Sequence, residues 1–208
     1  MKQISFKQYR TNDIVILTIM TAFFESLLCI ATNSWFVLQA MSVSITLAMT
    51  CIVAFRWGGF AVIPSFVGSM AYCITYNLIS EKDLSGQQIL TYCCGSVFCL
   101  IAIPLLIKLG KENVRKDFVK RSALAVIIYI LIAVGRCLFA LMFGENVEAL
   151  SAYFTVDILS LLFAIVVLTV TKDLDGMLED QKAYILRIDR ERREEQEANT
   201  QDPFNDPY

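Results

Sequence analysis

Six apolar stretches, each long enough to cross a hydrocarbon core and divided by short polar connections, fix what this chain can fold into. They run from Asp13 to Thr32, Phe36 to Phe55, Phe60 to Ile79, Gln87 to Leu109, Phe118 to Phe143 and Val147 to Thr171. A membrane-crossing helix needs about 20 predominantly apolar residues. The stretches therefore predict an all-α polytopic membrane protein with six transmembrane helices. Composition agrees, since 56% of the 208 residues are hydrophobic and only 18% are charged, with mean hydropathy +0.57. A soluble domain of this size does not need so much apolar surface, and the surplus is read as lipid-facing.

The first stretch resembles a signal peptide only superficially. It is longer than a signal core, lacks a small-x-small cleavage pattern, and carries Leu28 before Cys29 where a lipoprotein signal requires a small residue. Thr32-Asn33-Ser34-Trp35 and Arg56-Trp57-Gly58-Gly59 read as interfacial turns. The third stretch places Ala61, Ser65, Ser69 and Cys73 at four-residue spacing, a small-residue stripe expected to pack within the monomer.

Charge in the connections predicts orientation. Lys2, Lys7 and Arg10, the Arg56 turn, the loop holding Lys108, Lys111, Arg115, Lys116, Lys120 and Arg121, and Lys172 all fall on one side, against Lys82 alone on the other. Both termini are thus expected in the cytoplasm, with a cell-membrane domain over 1–171. A charged amphipathic helix is expected over 172–198 and a disordered tail over 199–208, where Pro203 and Pro207 lie. In the amphipathic part Leu174, Met177, Leu178, Ile185 and Ile188 keep a helical period. Leu174, Leu178 and Ile185 are the candidate contacts to a partner or the membrane surface; the other reading is a frayed extension.

Three full charges sit inside hydrocarbon-length sequence: Glu25, Arg136 and Asp157. Burying Arg or Asp at the centre of a membrane helix costs roughly 2.5–3.5 kcal/mol on insertion scales, so each should face a partner, a cavity or a ligand. By helical rise Arg136 and Asp157 lie at similar depth, very roughly 12–18 Å from the turn at Gly144-Glu145-Asn146. Glu25 lies at a comparable remove from Asn33. Asn33, Gln39, Tyr72, Tyr76, Asn77, Gln87, Gln88, Tyr92 and Tyr153 gather toward the same side. From these, Glu25, Arg136, Asp157, Tyr72, Tyr76, Asn77 and Tyr92 form the candidate substrate-binding set. Two readings stay open: a ligand site, or a structural salt bridge that locks the last hairpin to the first helix.

Catalytic motifs are missing from the sequence. It holds no Walker loop, no G-x-S-x-G elbow and no histidine, and its seven cysteines lie inside apolar runs, where a thiol behaves as a small hydrophobe. The chain is not expected to be an enzyme, nor to use a metal or cofactor, and no nucleic-acid partner is expected.

Six helices with both termini inside, together with Gly135-Arg136-Cys137-Leu138, the segment Asp157 to Phe163 and the segment Leu174 to Lys182, resemble the substrate-binding S component of energy-coupling factor transporters. That resemblance implies capture of a vitamin-like small molecule from outside, with membrane lipid around the protein. It also implies a transmembrane coupling subunit and cytoplasmic ATPases as partners. The family docks through an alanine pair spaced by four on its first helix, and here the nearest pattern is Ala22 with Ser26. The alternative function is a non-transporting membrane sensor or accessory subunit acting through its C-terminal helix.

Overall fold

Backbone amides in hydrocarbon have no partner but one another, so apolar runs close into helices. The computed structural model describes residues 6–35, 42–80, 85–144 and 150–201, and every regular element among them is helical. Five helical runs are long and apolar enough to cross a membrane: Phe6–Ser34, Thr46–Ile79, Gly86–Leu109, Phe118–Met142 and Ala152–Thr171. The predicted positions of Gln39, Lys82, Glu145, Asn146 and Glu148 lie outside the described residues, as does the tail from 202 to 208.

Helix α1 (Phe6–Trp35) buries one stripe, Ile14, Thr21, Glu25, Cys29 and Thr32, at helical spacing. Its opposite face leaves Ile16, Ile19, Phe23, Leu27 and Ile30 exposed, as lipid contact requires.

The run Thr46–Ile79 is a hairpin. Helix α2 (Thr46–Trp57) ends at Gly58, whose φ of 60° suits glycine alone, and a 3-10 turn over Gly58–Ala61 leads into α3 (Val62–Ile79). In a straight helix Thr46 and Gly68 would stand about 33 Å apart. Here a Cβ added to Gly68 would lie 2.2 Å from the Thr46 hydroxyl oxygen, so the chain has reversed. The small stripe on α3 turns inward, with Ala61, Ser65, Ser69 and Cys73 all buried.

Helix α2 is the centre of the bundle. Every residue from Thr46 to Arg56 is buried, and α1, α3, α7 (Phe118–Met142) and α9 (Ile158–Thr171) pack around it. A helix enclosed on all sides is apolar all round, and Leu47, Ile52, Val53 and Phe55 fill the core from it. The expectation of one continuous helix from Phe36 to Phe55 is corrected. Helix begins only at Thr46, residues 42–45 are non-helical, and 36–41 lie outside the described residues.

Helix α4 (Gly86–Ser96) continues through a 3-10 turn into α5 (Ala102–Leu109), and Gly110 turns the chain into the short α6 (Lys111–Lys116). Asp117 then caps α7 by accepting from the Val119 amide at 2.9 Å. Helices α4 and α7 cross glycine on glycine: a Cβ on Gly135 would stand 2.5 Å from the Gly95 carbonyl oxygen. That contact sets the height of the next residue, Arg136.

The last apolar stretch, expected as a single helix from Val147 to Thr171, is also broken among its described residues, 147–149 lying outside them. Helix α8 (Ala152–Thr155) stops at Val156 and Asp157, and α9 starts at Ile158. The Val156 carbonyl accepts the Ser42 amide at 2.9 Å, so two irregular segments satisfy each other inside the protein. Broken backbone at membrane depth is tolerated only under such cover.

After Thr171 the chain does not continue as the expected amphipathic helix. Residues 172–180 form turns and α10 (Gln181–Gln201) begins late, reaching into the stretch expected to be disordered. Arg56 explains the fold-back. It grips both Asp13 oxygens, at 3.0 and 2.9 Å, and donates to the Gly176 carbonyl at 2.7 Å, while Gln181 donates to that same carbonyl at 2.6 Å. Lys111 pairs with Asp180, and Arg115 and Arg187 share Glu179. Leu178, one of the candidate contact residues, is consequently packed into the chain's own core at 1% exposure, whereas Leu174 is exposed and Ile185 half-buried.

A direct test follows from that burial. Leu178→Asp should lower the thermal stability of the purified protein by roughly 3 kcal/mol, as a charge in an apolar core does. Leu186→Asp, on an exposed position, should leave it within about 0.5 kcal/mol. Burial pushes the Asp180 carboxyl up, but its bond to Lys111 and the lysine's charge outweigh this and hold it below the usual carboxylate range. The contact therefore contributes stability above the ordinary carboxylate pKa and loses it as pH falls through the lowered one. Protease nicking of the 172–180 turn should accordingly rise on acidification below about pH 4.

Candidate functional site

Two breaks in regular helix meet and build the site. The unwound residues 42–45 expose hydroxyls and amides, and the α8–α9 break presents Asp157. Ser42 donates to Asp157 Oδ1 at 2.6 Å, Arg136 pairs with Asp157 Oδ2, and the Ser160 hydroxyl accepts the Ser44 amide at 2.9 Å. Asp157 precedes the first turn of α9, where a negative charge is favoured by the helix dipole.

Glu25 reaches in from α1 and closes the start of α2. Its Oε2 accepts from Ser44 Oγ at 2.8 Å, the Thr46 amide at 3.0 Å and Thr46 Oγ1 at 2.8 Å. The carboxylate thus helps to cap α2, sharing the Thr46 amide with the Ser44 hydroxyl at 3.1 Å where Ile45 has no side-chain acceptor. Glu25 does not pair with Arg136. All three charges nevertheless line one cavity, together with Ser44, Thr46, Ser69 and Tyr72, as their matched depths in the sequence predict.

The aromatic residues form a ladder. Tyr76 stacks on Tyr72 with ring centroids 5.9 Å apart, Tyr72 on Tyr92 at 5.7 Å, and Tyr153 meets Tyr92 edge-on at 5.9 Å. The Arg136 guanidinium carbon sits 4.4 Å from the Tyr92 ring centre, a cation–π contact that adds to its pairing with Asp157. Above the pair a cleft of about 430 Å³ opens at the end of the bundle opposite Arg56, bordered by Gln87, Gln88, Tyr92, Tyr153, Arg136 and Asp157.

Of the residues picked from sequence, Arg136, Asp157, Glu25, Tyr72 and Tyr92 converge here, and Tyr76 joins through its stack. Asn77 does not. It is buried and spends its amide on the Cys73 carbonyl at 2.9 Å and Gln88 Oε1 at 3.3 Å, which ties α3 to α4. The candidate docking pair is half-buried, and Ser26 accepts a hydrogen bond from Thr75 of α3 at 3.1 Å. Sequence reasoning missed Ser42, Ser44, Thr46, Ser69 and Ser160. Hydroxyls at 42, 44 and 46 alternate with period two, an extended-chain signal inside an otherwise helical run.

Among the described residues no cluster of His, Cys, Asp or Glu has metal-binding geometry. It can bind a small polar molecule by charge, hydrogen bonds and aromatic faces. No protein-family model, curated protein or solved structure matches this chain.

Proposed function

We propose that the chain is a membrane-embedded substrate-capture subunit that takes up a vitamin-like small molecule together with separate coupling and ATPase subunits. The observation that carries this is the Arg136–Asp157 pair at the floor of an open, tyrosine-lined cleft. A pair serving packing alone has no need of a mouth. The irregular backbone beside it also matches the way membrane transporters build mid-depth sites from interrupted helices. Counting α2 and α3 as separate crossings gives six. With Arg56, Lys108, Lys111, Arg115 and Lys172 at one end, the charge rule puts that end and both termini in the cytoplasm and turns the cleft outward. The burial of Leu178 speaks against the alternative, signalling through the C-terminal segment.

Mass spectrometry of molecules released from protein purified in mild detergent tests the capture reading. A single heteroaromatic species in near-stoichiometric amount is the expected result, and none in repeated preparations would sink it. Topology is checked separately by cysteine labelling of intact cells. Probes introduced near Lys82 and Asn146 should react and one near Arg115 should not.

A further inference from the structure

Among the described residues, five buried side-chain polar atoms have no hydrogen-bond partner: Glu25 Oε1, Ser69 Oγ, Ser80 Oγ, Arg121 Nε and Arg136 Nε. Three of these belong to side chains that line one cavity of about 10 Å³, room for a single small polar group. Glu25 is 0% and Ser69 3% exposed, so neither can turn to bulk solvent. Leaving a buried donor or acceptor unmet costs about 1–3 kcal/mol, more for a charged group. Three in one place point to an occupant.

The chemistry of the three atoms says which kind. A carboxylate oxygen only accepts, a guanidinium N–H only donates, and a hydroxyl does both. The occupant must therefore donate to Glu25 and accept from Arg136. Charge narrows the choice further. Arg136 is already neutralised by Asp157, and the carboxylate of Glu25 is offset by the amide end of α2, so a full charge of either sign meets a like charge without a free counterion. A ligand carboxylate would face Glu25, and an amidinium would face Arg136.

We propose that this cavity is a subsite for an uncharged amide edge, a carboxamide or lactam, on a flat ligand whose ring lies toward the cleft. It rests on reading the cleft as a ligand site. The cavity and the cleft meet at Arg136 and Asp157, which line both, so a ligand reaching past this pair would hold its edge in one and its ring beside Tyr92 and Tyr153 in the other.

Benzamide, benzamidine and benzoate have nearly the same shape and differ in charge and donor pattern. Their binding to the full-length protein in detergent, by calorimetry, tests the proposal. Benzamide should bind at least tenfold more tightly than either of the others. Glu25→Gln keeps an oxygen for the Ser44 and Thr46 donors and turns the free acceptor into a donor, so the preference should invert toward benzoate. Ser69→Ala removes a hydroxyl without a partner, should fold normally, and should weaken benzamide several-fold without inverting the order. Benzamidine or benzoate binding as tightly as benzamide, an unchanged order in folded Glu25→Gln, or no binding by any probe would overturn the subsite. A copurified molecule without an amide edge would remove the subsite and leave the capture function standing. Benzamide binding without any copurified or transported molecule would do the reverse.

Discussion

Arg136→Ala should weaken capture of the copurified molecule by about a hundredfold and lower the stability of the purified protein by roughly 3 kcal/mol. The side chains of the pair are 11% and 16% exposed, so truncating one partner strands the other in a low-dielectric setting. The stability loss should stay at the lower end for broken buried pairs. Asp157 keeps the Ser42 hydroxyl on Oδ1 and the start of α9 beneath it. Affinity should suffer more, because Tyr92 loses the cation over its face along with the charge at the cleft floor. The swapped double variant, Arg136→Asp with Asp157→Arg, separates the two readings of the pair. A purely structural bridge predicts recovery of both protein level and affinity. A ligand site predicts recovery of level alone, since Ser42, Tyr92 and the ligand would then meet the wrong groups. Normal affinity in folded Arg136→Ala would remove Arg136 from the site.

The sequence exposed the charges of this site more readily than the backbone that holds them. Glu25, Arg136 and Asp157 stand out because charge is costly in an apolar run, and helical rise alone placed them at one depth. Hydropathy is blind to whether an apolar run is continuous. Val156 and Ser42 lie within runs that average as smooth helices, and the break becomes favourable only when the two segments meet and exchange a hydrogen bond. That pairing is tertiary information, spread over more than a hundred residues of chain. Only the alternating hydroxyls of Ser42, Ser44 and Thr46 hinted at it.

The C-terminal segment shows a different ambiguity. Leu174, Met177, Leu178 and Ile185 keep a helical period that suits a free amphipathic helix, and nothing local in the pattern forbids one. What decides the outcome is Arg56, which needs acceptors and finds the Gly176 carbonyl. The sequence carried one marker of this, Gly176 itself, whose φ of 73° lets the chain turn back under the Tyr184 ring.

Gly135→Ala should cost about 3 kcal/mol, near the top of the range for overpacking, although it adds a single methyl group. Its Cβ would stand 2.5 Å from the Gly95 carbonyl oxygen and 2.8 Å from the Phe98 ring, and a backbone carbonyl cannot rotate away as a flexible side chain does. Helices α4 and α7 would have to separate, as small-residue crossings in membranes do when a side chain is inserted. Separation would also draw Arg136 from Tyr92, the one on α7 and the other on α4, so ligand affinity should fall with both charged residues intact. Gly95→Ala strains the same crossing, its Cβ meeting the Arg136 amide nitrogen at 2.6 Å. One separation relieves both, so the double variant should lose clearly less than the sum of the singles. Gly86→Ala, at the start of α4 with nothing within 4 Å, is the internal control and should change stability by no more than about 0.5 kcal/mol. Thermal unfolding of these variants in one detergent gives the answer. Additive losses, or a Gly135→Ala protein as stable as the control, would show that the glycine crossing does not set the height of Arg136.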